Sequence, residues 1–223
     1  MKINRDQDEL QRQTLSYELG EYDAQPSAPV LIVDRVLSQA IEPRLGLAEA
    51  LAYWSSASGP VDTQDHLAPA TLEVLRELPG SGSRVITNVH WKYADVRRGS
   101  LEIRVDDCLP GYDPGSHMGG TSAQFALHLP DTGRAAGSMT LLRDGWIPTN
   151  AAMVGSSPSP GLDRMHRRLA VLLMVSGDLD ASGFTIPLSW VHDLDTWSSY
   201  QLLFKTVGLD LGYSKTSKDP DHV

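Results

Sequence analysis

The chain has 223 residues, 41% of them hydrophobic, and a net charge of −9. That length suffices for one large domain or two small ones, and the charge argues against a nucleic-acid partner, which needs a basic face. A single cysteine, Cys108, excludes an internal disulfide framework and fits a reducing cytoplasm. Residues 1–13 lack the apolar core of a secretory signal, and the longest apolar run, residues 169–175, is far too short to span a bilayer.

Residues 1–20 are polar and charged, and residues 8–19 read either as a surface helix ended by Gly20 or as a disordered segment. After Pro26 and Pro29 comes VLIVDRVL, residues 30–37, which reads as a strand with Asp34 and Arg35 solvated or locally paired at its edge. In residues 45–54, LGLAEALAYW, alanine, leucine and glutamate favour a helix, and apolar residues on both parities weaken a strand reading. Gly59 and Pro60 end that element. Pro69 suits a first helical turn and predicts a helix behind it over residues 71–78. Leu72, Leu75 and Leu78 share one face of it, and Glu73 and Glu77 lie on another.

Residues 85–93 and 100–106 flank the polar turn 95–99. In the second run Leu101, Ile103 and Val105 alternate with Glu102, Arg104 and Asp106, the period of a half-buried antiparallel strand. Residues 122–129 and 135–142 flank Pro130-Asp131-Thr132-Gly133, a hairpin signal. Residues 84–143 therefore read as a meander of about four strands, with the preceding helix packed on it. The loop 111–120 is a long connection inside the meander, and His117 reads as a solvated loop histidine. Residues 147–161 read as a linker or surface excursion. Residues 163–176 read as a helix, 184–191 as a strand interrupted by Pro187, 196–207 as a helix and 214–223 as a disordered tail.

Familiar chemical motifs are absent: there is no P-loop, dinucleotide fingerprint, zinc signature or Gly-x-Ser-x-Gly elbow. The seven histidines are dispersed without metal-ligand spacing, so neither a metal nor a cofactor is expected. Cys108 falls at a strand end and reads as packing. Asp65 and His66 precede a helix that carries Glu73 and Glu77, which supplies the parts for a general base and a general acid. Many helices carry an N-terminal histidine and surface glutamates for no chemical reason.

Residues 29–37, Pro-Val-Leu-Ile-Val-Asp-Arg-Val-Leu, resemble the opening strand of the hot-dog-fold 3-hydroxyacyl-acyl-carrier-protein dehydratases. Residues 86–99, with Leu101, Ile103 and Val105 behind them, are similar to that family's strand, turn and strand after the helix. The likeness covers roughly residues 29–143. It implies an α+β hot-dog fold, a helix wrapped by a curved antiparallel sheet, in a homodimer. It also implies an acyl thioester substrate on coenzyme A or an acyl carrier protein, with no membrane partner. By this resemblance His66 is the loop base and Glu73 the helix acid contributed across the dimer, with Glu77 as the alternative acid. The chain departs from the family in its loop, Asp65-His66-Leu67-Ala68-Pro69, which replaces Gly-His-Phe-Pro-Gly-His-Pro, and in its short helix.

The expected division is a polar segment over residues 1–28, a hot-dog domain over 29–146 and an extension over 147–223. That extension is either a second, degenerate hot-dog half or a cap. Three functions remain open: a dehydratase-like lyase, a hot-dog thioesterase or cyclase on a polyketide-like chain, and a non-catalytic acyl-binding protein.

Overall fold

The computed structural model describes residues 1–26, 28–78, 86, 88–90, 96–106, 125–132, 137–140, 144–155 and 158–214. The chain opens as a β-hairpin, which corrects the helix or disorder expected over residues 8–19. Strand β1 (Lys2–Gln7) pairs antiparallel with β2 (Gln13–Glu18), Ile3 opposite Tyr17 and Arg5 opposite Leu15. Only Ile3 and Leu15 are fully buried along the two strands, so the alternation that reveals a strand is too sparse to read. The turn is built by Asp8, whose carboxylate accepts the N–H groups of Leu10 (3.0 Å) and Arg12 (2.9 Å). Strand β3 (Val30–Val33) completes a three-stranded antiparallel sheet in the order β1-β2-β3.

Helix α1 (Glu42–Ala52) forms from the alanine- and leucine-rich stretch, and every residue from 44 to 52 is buried. It packs along α3 (Pro160–Val175), whose residues 169–175 are also all buried. Each of these helices has proline in its first turn, where its missing N–H costs nothing. The helix expected to be central, α2 (Pro69–Glu77), is the shorter one and packs against α4 (Trp197–Thr206). No helix among the described residues is long and apolar enough to cross a membrane.

The second sheet runs β6 (Met139–Thr140), β7 (Asp144–Trp146), β5 (Phe125–His128), β4 (Leu101–Asp106), β8 (Ala181–Pro187), β9 (Asp210–Ser214). The protein thus mixes helices with two sheets, as expected at that coarse level. The antiparallel meander is corrected: β4 pairs parallel with both β5 and β8, β5 with β7, and β8 with β9. Among the described strands of this sheet only β6 runs antiparallel, and it pairs with β7 and not with β5, so β5 and β6 do not form the expected hairpin. Alternation misled because it reports one buried face, not direction. Ile103 and Val105 face the core beside Phe184 and Ile186, and Glu102 and Arg104 stand on the other face. Numbered along the chain, the five parallel strands lie in the order 3-2-1-4-5, which is that of a doubly wound sheet.

Residues on both sides of position 146 share this sheet and the core, since β8 lies directly beside β4. Nor are residues 147–151 a surface excursion. Ile147, Thr149, Asn150 and Ala151 are buried. Thr149 Oγ1 donates to the Ile32 carbonyl at 2.7 Å, and Asn150 Oδ1 accepts the Ile32 N–H at 2.8 Å. Asp34 and Arg35 likewise find distant partners: Asp34 accepts the Gly137 N–H at 2.7 Å, and Arg35 Nε donates to Asp178 at 3.1 Å. Strand β9 was not expected, because residues 210–214 carry one buried side chain, Leu211. Residues 85, 87 and 91–93 of the expected strand 85–93, the loop 111–120, Cys108, His117 and the tail beyond 214 fall outside the described residues.

Candidate functional site

The loop over residues 62–66 meets three other parts of the chain. From α1, Glu49 points into it with no exposure of its side chain. Glu49 Oε2 accepts the backbone N–H groups of Gln64 at 2.7 Å and Asp65 at 3.1 Å. From β1, Arg5 Nη1 donates to Glu49 Oε1 at 3.2 Å and also to the Asp65 carboxylate. From beyond α2, Asn88 donates its amide hydrogens to the carbonyls of Thr63 (3.0 Å) and Gln64 (2.9 Å). Leu67 forms a parallel bridge with Val89. Within the loop, Thr63 Oγ1 donates to the Asp65 carbonyl at 2.9 Å.

Glycine is needed at position 46 for this approach. A Cβ there would stand 2.8 Å from the Asp65 carbonyl oxygen and 3.0 Å from that of His66. The loop backbone therefore rests directly on α1, one helical turn before Glu49.

The electrostatics follow from burial. Removal from water pushes the Glu49 carboxyl up to about 7, and the neighbouring Asp65 charge pushes the same way; the two backbone amides and Arg5 oppose it. Two carboxylates on one guanidinium, one of them buried, form a group that holds or releases a proton near neutrality. Perturbed groups of this kind gather at functional sites, and also in structural ion-pair networks.

His66 follows Asp65 and is exposed; its ring meets His90 edge-on, with centroids 5.1 Å apart. Three residues later α2 begins at Pro69, with no side chain capping its N-terminus. Glu73 and Glu77 are exposed on α2. No hydrogen bond or ion pair among the described residues joins either of them to His66. The structure therefore brings together Asp65 and His66 but leaves the expected acid apart from the base within one chain. Among the described residues no group of three His, Cys, Asp or Glu side chains is placed to hold a metal ion.

Arg5, Glu49, Asn88 and His90 escaped the sequence reading. Glu49 carried the one usable signal, a lone charge in the middle of the apolar run LGLAEALAYW. Arg5 had none, because it lies among charged residues that are mostly solvated.

A second feature lies on the polar face of the large sheet. A cleft of about 240 Å³ is lined by Arg98, Glu102, Thr185 and Asp210 over the backbone of Gly183 and Gly212. Its cation is already paired, Arg98 with Asp210. Next to it Arg104 donates twice to Asp106, at 2.9 Å each. The first site has the stronger case because a fully buried carboxylate, Glu49, shares one guanidinium with Asp65 beside an exposed histidine.

Compared with protein families, with curated proteins and with solved structures, the chain shows no significant match.

Proposed function

We propose that the protein is an acid–base enzyme of the dehydratase kind, interconverting a 3-hydroxyacyl thioester and its enoyl product at the corner before α2. The observation that carries this reading is the place of His66: exposed, next to the Glu49–Asp65–Arg5 cluster and three residues ahead of the uncapped start of α2. A thioester across this corner sets its α carbon at His66 and its carbonyl at the first turn of α2. Amides there favour a developing oxyanion.

His66 takes the α proton, the Cα–Cβ double bond forms, and the β-hydroxyl leaves as water after receiving a proton from an acid. That acid is Glu73, or Glu77 in its place, contributed by a second copy of the chain, as the resembled family implies. The proton on His66 then returns to the carboxylate through water. The proposed substrate carrier is coenzyme A or an acyl carrier protein, the assembly a homodimer, and the setting the cytoplasm. The hot-dog assignment is supported only by the likeness of residues 29–37 and 86–105. The parallel pairing of β4 stands against its curved antiparallel sheet, so the chemistry is argued from the loop and helix alone.

The test is a panel of 3-hydroxyacyl and trans-2-enoyl thioesters, followed by enoyl absorbance and by released thiol together. Interconversion without thiol release is expected, and His66→Ala should slow it by about 100-fold or more, the usual weight of general acid–base catalysis. Thiol release would make the protein a hydrolase. A second reading, an acyl-binding protein without turnover, is favoured by the short α2 and by a loop that lacks Gly-His-Phe-Pro, and it leaves His66→Ala silent.

A further inference from the structure

Two histidines meet at the end of the loop, and the backbone holds them there. Leu67 forms a parallel bridge with Val89. The Leu67 N–H donates to the Asn88 carbonyl and the His90 N–H to the Leu67 carbonyl, each at 3.0 Å. The Asn88 amide adds bonds to the Thr63 and Gln64 carbonyls, at 3.0 and 2.9 Å. Successive side chains in such a pairing point to opposite faces. Leu67 is fully buried and Val89 packs against the core. His66 and His90 therefore come out together on the solvent face, as diagonal neighbours across the bridge. Both are exposed, and their ring centroids lie 5.1 Å apart.

That separation matches two ligands of one metal ion. Two imidazoles on a tetrahedral ion, each nitrogen about 2.0–2.1 Å from it, hold their ring centres about 5 Å apart. The rings stand at 80° to each other. Turning an exposed ring about χ2, a broad torsion in histidine, directs a nitrogen of each to a common point with no movement of the backbone. The surrounding charge favours a cation. Asp62 and Asp65 lie in the same loop, and Asp65 shares its guanidinium, Arg5, with Glu49. No third His, Cys, Asp or Glu among the described residues completes a ligand set, so the other positions are left to water and the ion stays exchangeable. Imidazole suits zinc, nickel and copper, whereas magnesium and calcium take oxygen ligands.

We infer that His66 and His90 form a two-histidine site for a divalent transition-metal ion of the zinc, nickel and copper class, which staples the loop over residues 62–66 to residues 88–90. Sequence spacing does not show the pair, because the Leu67–Val89 bridge is what brings it together. An ion there occupies a ring nitrogen of His66 and so competes with any proton transfer by that residue. The site itself stands on the backbone geometry and not on the proposed reaction.

The test is calorimetric titration of the untagged, metal-free protein with Zn2+, Ni2+ and Mg2+. Zn2+ and Ni2+ should each fill one site per chain, and Mg2+ should not bind. Loss of an outer-shell partner alone costs a metal site about 10–100-fold in affinity. Loss of one of two ligands, in His66→Ala or in His90→Ala, should cost at least as much, and His192→Ala should leave the affinity unchanged. In the wild type, the ring resonances of two of the seven histidines should move together during the Zn2+ titration, a readout that needs no variant. No saturable binding, affinity unaltered in either His66→Ala or His90→Ala, or movement of a single histidine ring overturns the site. Absence of thioester turnover changes none of these outcomes, so the two proposals fail separately.

Discussion

Glu49 reaches from the middle of α1 to accept the backbone N–H of Asp65 at 3.1 Å, and Arg5 bonds the carboxylates of both residues. A helix, a hairpin strand and a loop, far apart in the chain, thus meet on two acids and one base. That meeting fixes where the loop lies on α1.

Stability should therefore depend on pH in a particular direction. Burial pushes the Glu49 carboxyl up to about 7 in the folded protein, from 4.5 when unperturbed. Between those values the folded state binds more protons than the unfolded one, so stability falls as pH rises. The contribution is fully present below 4.5 and gone above 7, with an upper size on the order of 3 kcal/mol. Urea melts at pH 5 and pH 8 should show this fall in the wild type and much less of it in Glu49→Gln. Equal falls in both proteins would place its origin elsewhere.

Removing the shared cation should be costly. Arg5→Met leaves Glu49 and Asp65 facing each other without their guanidinium. The expected loss is about 3 kcal/mol at pH 8, the low end for a broken buried pair, because Arg5 keeps 21% of its exposure. At pH 5 the loss should shrink as Glu49 takes up its proton. A loss independent of pH would mean that Arg5 acts by packing alone.

Gly46→Ala separates helix propensity from fit. In an isolated helix the change stabilises by about 1 kcal/mol. Here the new Cβ meets the Asp65 and His66 carbonyl oxygens at 2.8 and 3.0 Å. The loop backbone must move, and a net loss of about 1–3 kcal/mol is expected, with lower turnover at the corner. Unchanged or raised stability in thermal melts would show that the loop is not seated on α1.

How much of this was legible depended on where burial was continuous. Helices α1, α3 and α4 were readable because their apolar residues are dense, as in residues 169–175. Strand β4 was readable from Leu101, Ile103 and Val105, but its direction was not, since a sheet with one polar face shows the same alternation whether its strands run parallel or antiparallel. The opening hairpin was hidden because Ile3 and Leu15 alone are fully buried in it. At the site, Asp65 and His66 stood out beside a predicted helix start. Arg5 and Glu49 come 60 and 16 residues earlier in sequence than Asp65, and no local pattern encodes such a meeting.

Asp178 should prove as important to the architecture as Glu49 is to the corner. It follows α3 and accepts Arg35 Nε at 3.1 Å and the N–H groups of Ser38 (2.9 Å) and Gln39 (2.7 Å). Its side chain is 2% exposed. Asp178→Ala removes the acceptor that ties Arg35, Ser38 and Gln39 together and should cost about 1–2 kcal/mol, where Asp178→Asn should recover part of it. A neutral Asp178→Ala in urea melts would mean that the pairing of β3 with β2 and the Thr149 and Asn150 bonds hold this region without Asp178.

The most direct test of the proposed chemistry is to follow the α proton itself. A trans-2-enoyl thioester incubated with the protein in D2O should give a 3-hydroxyacyl thioester carrying one deuterium at Cα, resolved by mass spectrometry, with His66→Ala giving none above background. Hydration without deuterium at Cα, or equal incorporation in His66→Ala, would contradict His66 as the base. An unchanged enoyl thioester would contradict dehydratase chemistry at this corner and leave acyl binding in its place.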